Sequence, residues 1–350
     1  MRKRRLTVPA AVFTLVALSV PSSAATIRVP LDQPTIQEGI NAASGGDTVL
    51  VAAGTYTGAN NRNLGAAGVN IVVMSEAGAA QTIIDCEGGD RAFYLHDGED
   101  STSVIRGFTI TNASGGNGGG IAVIHAAATI EDCIFSNNTA SMNGGGVQYG
   151  YAATAGAIRN CVFYGNSASY RGGGINCDHG HGENVAPAIT GCVFYDNDAG
   201  SGGSFGGGGI FCSYSSPLIS GCTVVGNAGG PGAGGIDGDG SSPIVRNTIV
   251  AFSTEGAGIE GVDADHCIIF GNAGGDLLSG MSRENLNVNP LFCDLVARDL
   301  TVCSDSPCVA GDPENPWGEQ VGAYGSGCGD CDTPVETGSW GSIKAMYRSP

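Results

Sequence analysis

The densest run of groups able to do chemistry is Asp178-His179-Gly180-His181-Gly182-Glu183, with Arg171 seven residues upstream. Imidazoles and carboxyls at this spacing are proton donors and acceptors, and a guanidinium beside them can hold a sugar or a carboxylate. Arg171, Asp178, His179, His181 and Glu183 are therefore the catalytic candidates. Asp178, His179 and His181 could equally hold a metal, although close spacing on a glycine-rich loop is weak ground for a designed site. The plainer reading is a solvated insertion between two structural segments. Two further stretches, Asp237-Gly238-Asp239 and Asp263-Ala264-Asp265, place carboxylates at alternate positions, as hard cations prefer. Neither completes a calcium loop, so Asp237, Asp239, Asp263 and Asp265 are calcium candidates only, and calcium is the one cofactor the pattern admits.

Thiols are the other reactive class. There are 13 cysteines, an odd number. Cys133, Cys161, Cys192 and Cys222 recur at steps of 28, 31 and 30 residues, always between an isoleucine and an aromatic or aliphatic position. Parallel side chains on stacked strands keep about 4.8 Å apart, farther than a disulfide's Cβ separation of about 3.5–4.5 Å. That column is expected to be buried free thiols. Disulfides are expected among Cys293, Cys303, Cys308, Cys328 and Cys331. A zinc site would call for a second Cys-x-x-Cys pair beside Cys328–Cys331, and the sequence has none.

The elements that must position these groups come from a repeat. One half of it reads Ile-x-x-Cys-x-Phe-x-x-Asn, as in Ile130, Cys133, Phe135, Asn138 and again in Ile158, Cys161, Phe163, Asn166. The other half is a glycine cluster closed by an aliphatic residue at Ile121, Val147, Ile175, Ile210, Ile236 and Ile259. A period near 30 residues signals a solenoid, and the alternation within each half is that of strands. The expected fold is all-β, a single-stranded right-handed parallel β-helix with Cys, Phe and Ile columns in its core. Asn138, Asn166, Asn197 and Asn227 should stack at one corner and bond to one another. Thr35 and Glu38 suggest a helix cap ahead of Ile36 and Ile40, so a short N-terminal helix should cover the first coil. Arg106, Glu131 and Arg159 share one outward position with alternating sign, which reads as a cross-coil charge ladder.

These repeats resemble those of polymorphic outer-membrane proteins and related bacterial β-helix proteins. The segment from Thr35-Ile36-Gln37 through Gly46-Asp47-Thr48 to Gly54-Thr55-Tyr56 resembles the opening of pectin-lyase-like β-helices. Asn289-Pro290-Leu291-Phe292, Ser306-Pro307 and Val321-Gly322-Ala323-Tyr324 resemble the closing module of choice-of-anchor secreted proteins. Gly180-His181-Gly182 looks like the Gly-His-Gly motif of polygalacturonases. The Asn-Thr-Asp and Asp-Asp segments that accompany it in those enzymes are missing here, as is the Arg-x-Pro-x-x-Arg segment of pectate lyases. Glycoside hydrolysis needs two carboxyl groups across the scissile bond, so the resemblance implies the fold more strongly than the activity.

The chain's start fits export. Arg2-Lys3-Arg4-Arg5 precede a 15-residue apolar run from Leu6 to Val20, then the small residues Ser22-Ser23-Ala24-Ala25. That run is shorter than the roughly 20 residues a membrane span needs, so 1–25 reads as a signal peptide. Residues 26–325 read as the β-helix and 326–350 as a tail with a sorting or attachment role. Removing 1–25 leaves 11 basic against 33 acidic residues, a net charge of −22. Such a surface repels nucleic acid and anionic lipid, which excludes both as partners. No membrane span is expected in the mature chain. The expectation is a secreted or surface-exposed binding or structural protein whose partner is extracellular polysaccharide or other cell-surface material. The alternative is a pectin-lyase-like carbohydrate-active enzyme, a lyase or a hydrolase.

Overall fold

Two kinds of corner residue make the chain turn the same way once per repeat. In the coil from Thr129 to Gly150, strand Thr129–Glu131 ends at Asp132 (φ 54°), and strand Ile134–Ser136 ends at Asn137 (φ 53°). Asp and Asn tolerate this left-handed conformation because their short polar side chains bond locally. A two-residue strand, Thr139–Ala140, then leads into Gly144-Gly145-Gly146 and strand Val147–Gly150. The computed structural model describes residues 24–150, 156–178, 186–200, 206–276 and 284–331.

Repetition of this coil stacks three parallel sheets. Sheet A has ten strands, running from Thr26–Val29 to Asp263–Asp265. Sheet B has nine, from Gly54–Tyr56 to Ile268–Phe270, and sheet C has eleven and contains the strands that follow the glycine clusters. Registers follow the repeat: Ile130 pairs with Ile158, Phe135 with Phe163, and Val147 with Ile175. Inward columns therefore touch. The rings of Phe135 and Phe163 lie 4.6 Å apart at 2°, and those of Phe163 and Phe194 4.8 Å apart at 6°. These spacings equal the distance between neighbouring strands, so the backbone dictates the ring stack.

Cys133, Cys161, Cys192 and Cys222 occupy the expected inward column, all buried and all free, with Cys267 continuing it. Each sulfur points back at the carbonyl two residues before it, as Cys161 Sγ does to Arg159 O at 3.1 Å. Burial pushes the Cys161 and Cys222 thiols well above their ordinary range, and Cys267 to about 12. A thiol held neutral in this way is unreactive and packs as a small apolar side chain. The asparagine column is equally regular. Asn138 donates through Nδ2 to Asn166 Oδ1 at 2.9 Å, Asn166 to Asn197 at 2.9 Å, and Asn197 to Asn227 at 2.9 Å.

The N-terminal end is covered by a helix. Helix Ile36–Ala42 is capped by Thr35, whose hydroxyl accepts from Glu38 N. In return that hydroxyl donates to the Glu38 carboxylate at 2.8 Å. Ile36 and Ile40 are buried. The helix rests so closely on the first coil that a Cβ at Gly39 would stand 2.9 Å from Val29 and Val49 side-chain carbons. At the other end, strands Phe292–Asp294, Asp299–Cys303 and Ser326–Cys328 form a small separate sheet. Its module lies along the flank of the last coils, where Leu300, Val302, Cys308 and Val321 pack with Val193, Val225, Ile249 and Ile268 of sheet B. Disulfides join Cys293 to Cys328 and Cys303 to Cys331, and Cys308 stays free and buried. Among the described residues no helix is long and apolar enough to cross a membrane.

Candidate functional site

Arg171 and Asp178 lie toward the outer face of sheet C. The Arg171 guanidinium sits 5.0 Å from the centre of the Phe211 ring. Asp178 ends strand Ile175–Asp178, in register with Gly150 and Ser213. His179, His181 and Glu183 fall outside the described residues. Arg91 lies three strands away on the same sheet, its guanidinium 4.6 Å from the centre of the Tyr94 ring and 3.5 Å from Asp90. Between the two arginines run Gln148 and Asn176, joined by a 2.7 Å amide hydrogen bond, and both are buried. This outward column is closed to large ligands.

The calcium candidates are dispersed. Asp237 ends strand Ala228–Asp237 in sheet C and is buried, Asp239 is exposed in the following turn, and Asp263 and Asp265 belong to sheet A. Asp265 stands in register with Arg246 and 3.9 Å from the His266 ring. Among the described residues, the groups of three His, Cys, Asp or Glu close enough to share an ion contain none of these four aspartates.

Asp237 has a structural role instead. Its Oδ2 accepts from Gly206 N at 3.2 Å and Ala233 N at 3.4 Å, tying two coils at a strand irregularity. Burial pushes its pKa up to about 6, against the help of those two donors. A carboxyl raised in the folded state favours folding in its protonated form. Its contribution is fully present below the unfolded value near 4 and is lost as pH rises through about 6. Asp237→Asn keeps the acceptor and removes the charge. The expected outcome is a wild-type melting temperature that falls relative to the variant between pH 4 and 6, by the equivalent of up to about 3 kcal/mol. Parallel pH profiles of the two proteins would contradict this.

The charge ladder on sheet A narrows to one ion pair. Arg106 bonds the Glu131 carboxylate and lies 4.0 Å from Asp132, while Arg159, in register on the other side of Glu131, is exposed.

A further outward column runs down the end of sheet B, one residue per coil: Asp85, Thr111, Ser136, Tyr164 and Tyr195, each in register with the next, all partly exposed except the buried Ser136. The signal was present as the residue after each Phe of the repeat, which alternation turns outward. Tyr164 and Tyr195 stack with ring centres 5.0 Å apart at 4°. Burial pushes the Tyr195 hydroxyl to about 12, so it remains a neutral donor. The closing module rises beside them. Asp196 pairs with Arg298 at 2.7 Å, although burial still raises the Asp196 carboxyl, and Tyr324 is 39% exposed. At the opposite end a shallow hollow of about 480 Å³ is lined by Asp85, Glu87, Asn112, Asn137 and Thr139 among others. Five coils at about 4.8 Å each make a strip near 20 Å long, with polar groups at one end and an aromatic platform at the other.

Residues 68–250 match the family described as the right handed beta helix region, which is more than half of the chain. No curated protein matches it. The matched stretch spans the coils whose Ile, Cys, Phe and Asn columns build the solenoid, and the chain therefore belongs to the right-handed β-helix family.

Proposed function

We propose that this β-helix repeat protein is exported and works outside the cell or at its surface, holding an extended neutral glycan along the outer edge of sheet B without cleaving it. The Tyr164–Tyr195 platform carries the reading. The two partly buried rings cover each other's faces and present their edges and hydroxyls in a rigid row, a surface suited to the hydroxyl groups of a sugar. Thr111, Asn112 and Asn137 continue the strip with donors and acceptors suited to hydroxyl groups. The basic, then apolar start of the chain supports export, and the acidity of the remainder disfavours polyanions. The resemblance to pectin-lyase-like and choice-of-anchor proteins agrees with an extracellular setting.

Affinity electrophoresis against neutral, pectic and alginate polymers, with and without calcium, tests this. Retardation is expected on a neutral polymer, with no reducing ends or unsaturated products released. Tyr164→Ala with Tyr195→Ala should weaken it at least tenfold, and Arg171→Ala should leave it unchanged. Retardation indifferent to both tyrosines would remove the strip from consideration. Product formation that disappears in Asp178→Ala or His181→Ala would replace the binding role with an enzymatic one.

A further inference from the structure

The closing module gathers four cysteines from three stretches of sequence. Cys293 comes from strand Phe292–Asp294, Cys303 from the end of Asp299–Cys303, and Cys328 and Cys331 from the last strand and the residues after it. Cys303 and Cys328 are in register across two parallel strands, and their sulfurs lie 3.6 Å apart although each is bonded to another partner. The sulfurs of Cys293, Cys303 and Cys328 all lie within 4.8 Å of one another, and Cys331 is bonded to Cys303. Tetrahedral zinc with bonds of about 2.3 Å places its sulfurs about 3.8 Å apart. The Cys303 and Cys328 sulfurs already stand near that distance, and the two bonded pairs must part to reach it once reduced. Cys328-Gly329-Asp330-Cys331 supplies a two-residue-spaced pair. The backbone around it is already held, with Cys331 N donating to Asp305 at 2.9 Å and Ser304 Oγ to Asp330 at 2.6 Å.

We propose that Cys293, Cys303, Cys328 and Cys331 form a four-thiolate site for zinc when their two disulfides are reduced, so that this module is closed either by two S–S bonds or by one metal ion. The second Cys-x-x-Cys pair that zinc sites usually draw on is replaced by one cysteine from each of two neighbouring strands. The exchange balances simply. Each disulfide is broken by two electrons and two protons. A dithiol supplies both and leaves as its own disulfide, whereas a phosphine supplies the electrons and becomes its oxide by taking the oxygen of a water that supplies the protons, so that four thiols remain. Zn²⁺ then displaces the four protons and binds four thiolates. In reverse, two equivalents of a disulfide oxidant take up the four electrons and leave as thiols, the two S–S bonds re-form, and the ion leaves. Cys308 stands apart: its sulfur points to Pro290 O at 3.7 Å, and it belongs to the apolar packing beneath the module.

The test uses the intact folded protein, reduced with a phosphine and titrated with Co²⁺. One cobalt per chain is expected, with the ligand-field bands of a tetrahedral site and a strong sulfur-to-metal charge-transfer band, and Zn²⁺ should displace it. Cys331→Ser should weaken uptake at least tenfold, and Cys308→Ala should leave it intact. Because a variant can fail to fold, alkylation mapping of the reduced wild-type chain gives a second readout. Zinc should protect Cys293, Cys303, Cys328 and Cys331 at least tenfold. Absence of uptake, uptake that survives Cys331→Ser, or labelling of the four cysteines unaffected by zinc would each overturn the proposal.

Discussion

Asn166→Ala is expected to destabilise the protein by about 3–5 kcal/mol, read as a lower guanidinium midpoint. Asn166 is fully buried, and its amide makes four hydrogen bonds. Its Nδ2 donates to Phe135 O at 3.0 Å and to Asn197 Oδ1 at 2.9 Å. Its Oδ1 accepts from Asn138 N at 3.1 Å and from Asn138 Nδ2 at 2.9 Å. Alanine leaves two buried donors of Asn138 without an acceptor and the Phe135 carbonyl without this donor. Each orphaned group costs about 1–3 kcal/mol. Asn166→Asp should be worse at neutral pH, since a carboxylate would face the Asn197 and Phe135 oxygens, and it should recover in part in acid as the group protonates. Asn112→Ala, at an exposed corner where the side chain bonds only Asp85, should cost less than about 1 kcal/mol. A wild-type midpoint for Asn166→Ala would show that the ladder is not holding the coils.

Gly145→Ala should be at least as damaging, and for a steric reason. A Cβ there would lie 2.4 Å from Gly173 O and 2.5 Å from Ser167 O, both backbone atoms of the next coil. The equivalent Gly119 would meet Gly145 O at 2.2 Å and Thr139 O at 2.7 Å. Backbone cannot move aside as a flexible side chain would, so the methyl group must separate two coils and stretch the hydrogen bonds between them. A loss above about 4 kcal/mol, or failure to accumulate folded protein, is the expected result. Gly116→Ala is the matched control. Nothing lies within 4 Å of its added methyl group, so its midpoint should change little. Folded Gly145→Ala with an unchanged midpoint would contradict the close approach of the coils.

The fold was legible because a solenoid writes its contacts into its period. Each inward residue touches its counterpart one repeat away, so the recurrence of Ile, Cys, Phe and Asn is itself a contact map. That is why the buried thiol column and the asparagine ladder are legible in the sequence, while the Thr35–Glu38 cap is legible as a local pair three residues apart. Outward residues carry no such constraint, because solvent accepts many side chains at one position. Tyr164 and Tyr195 therefore carry no repeat signal of their own, and only the structure shows their rings stacked. The polar run at 178–183 stands out by composition and by its Gly-His-Gly resemblance, and of it only Asp178 lies among the described residues.

The sequence by itself determined the solenoid and its core columns, because those rest on contacts between residues one repeat apart, and its N-terminal cap, because Thr35 and Glu38 pair within one helical turn. Only the tertiary structure decided what lies outside the period. It folded the closing module along the flank of sheet B, where Val302 and Val321 meet Val225 and Ile249, rather than placing it as a simple continuation of the coil. It also chose Cys293 and Cys303 as the partners of Cys328 and Cys331 and left Cys308 free. Pairings of this kind depend on where non-repeating strands cross in space, and no local pattern along the chain records that distance.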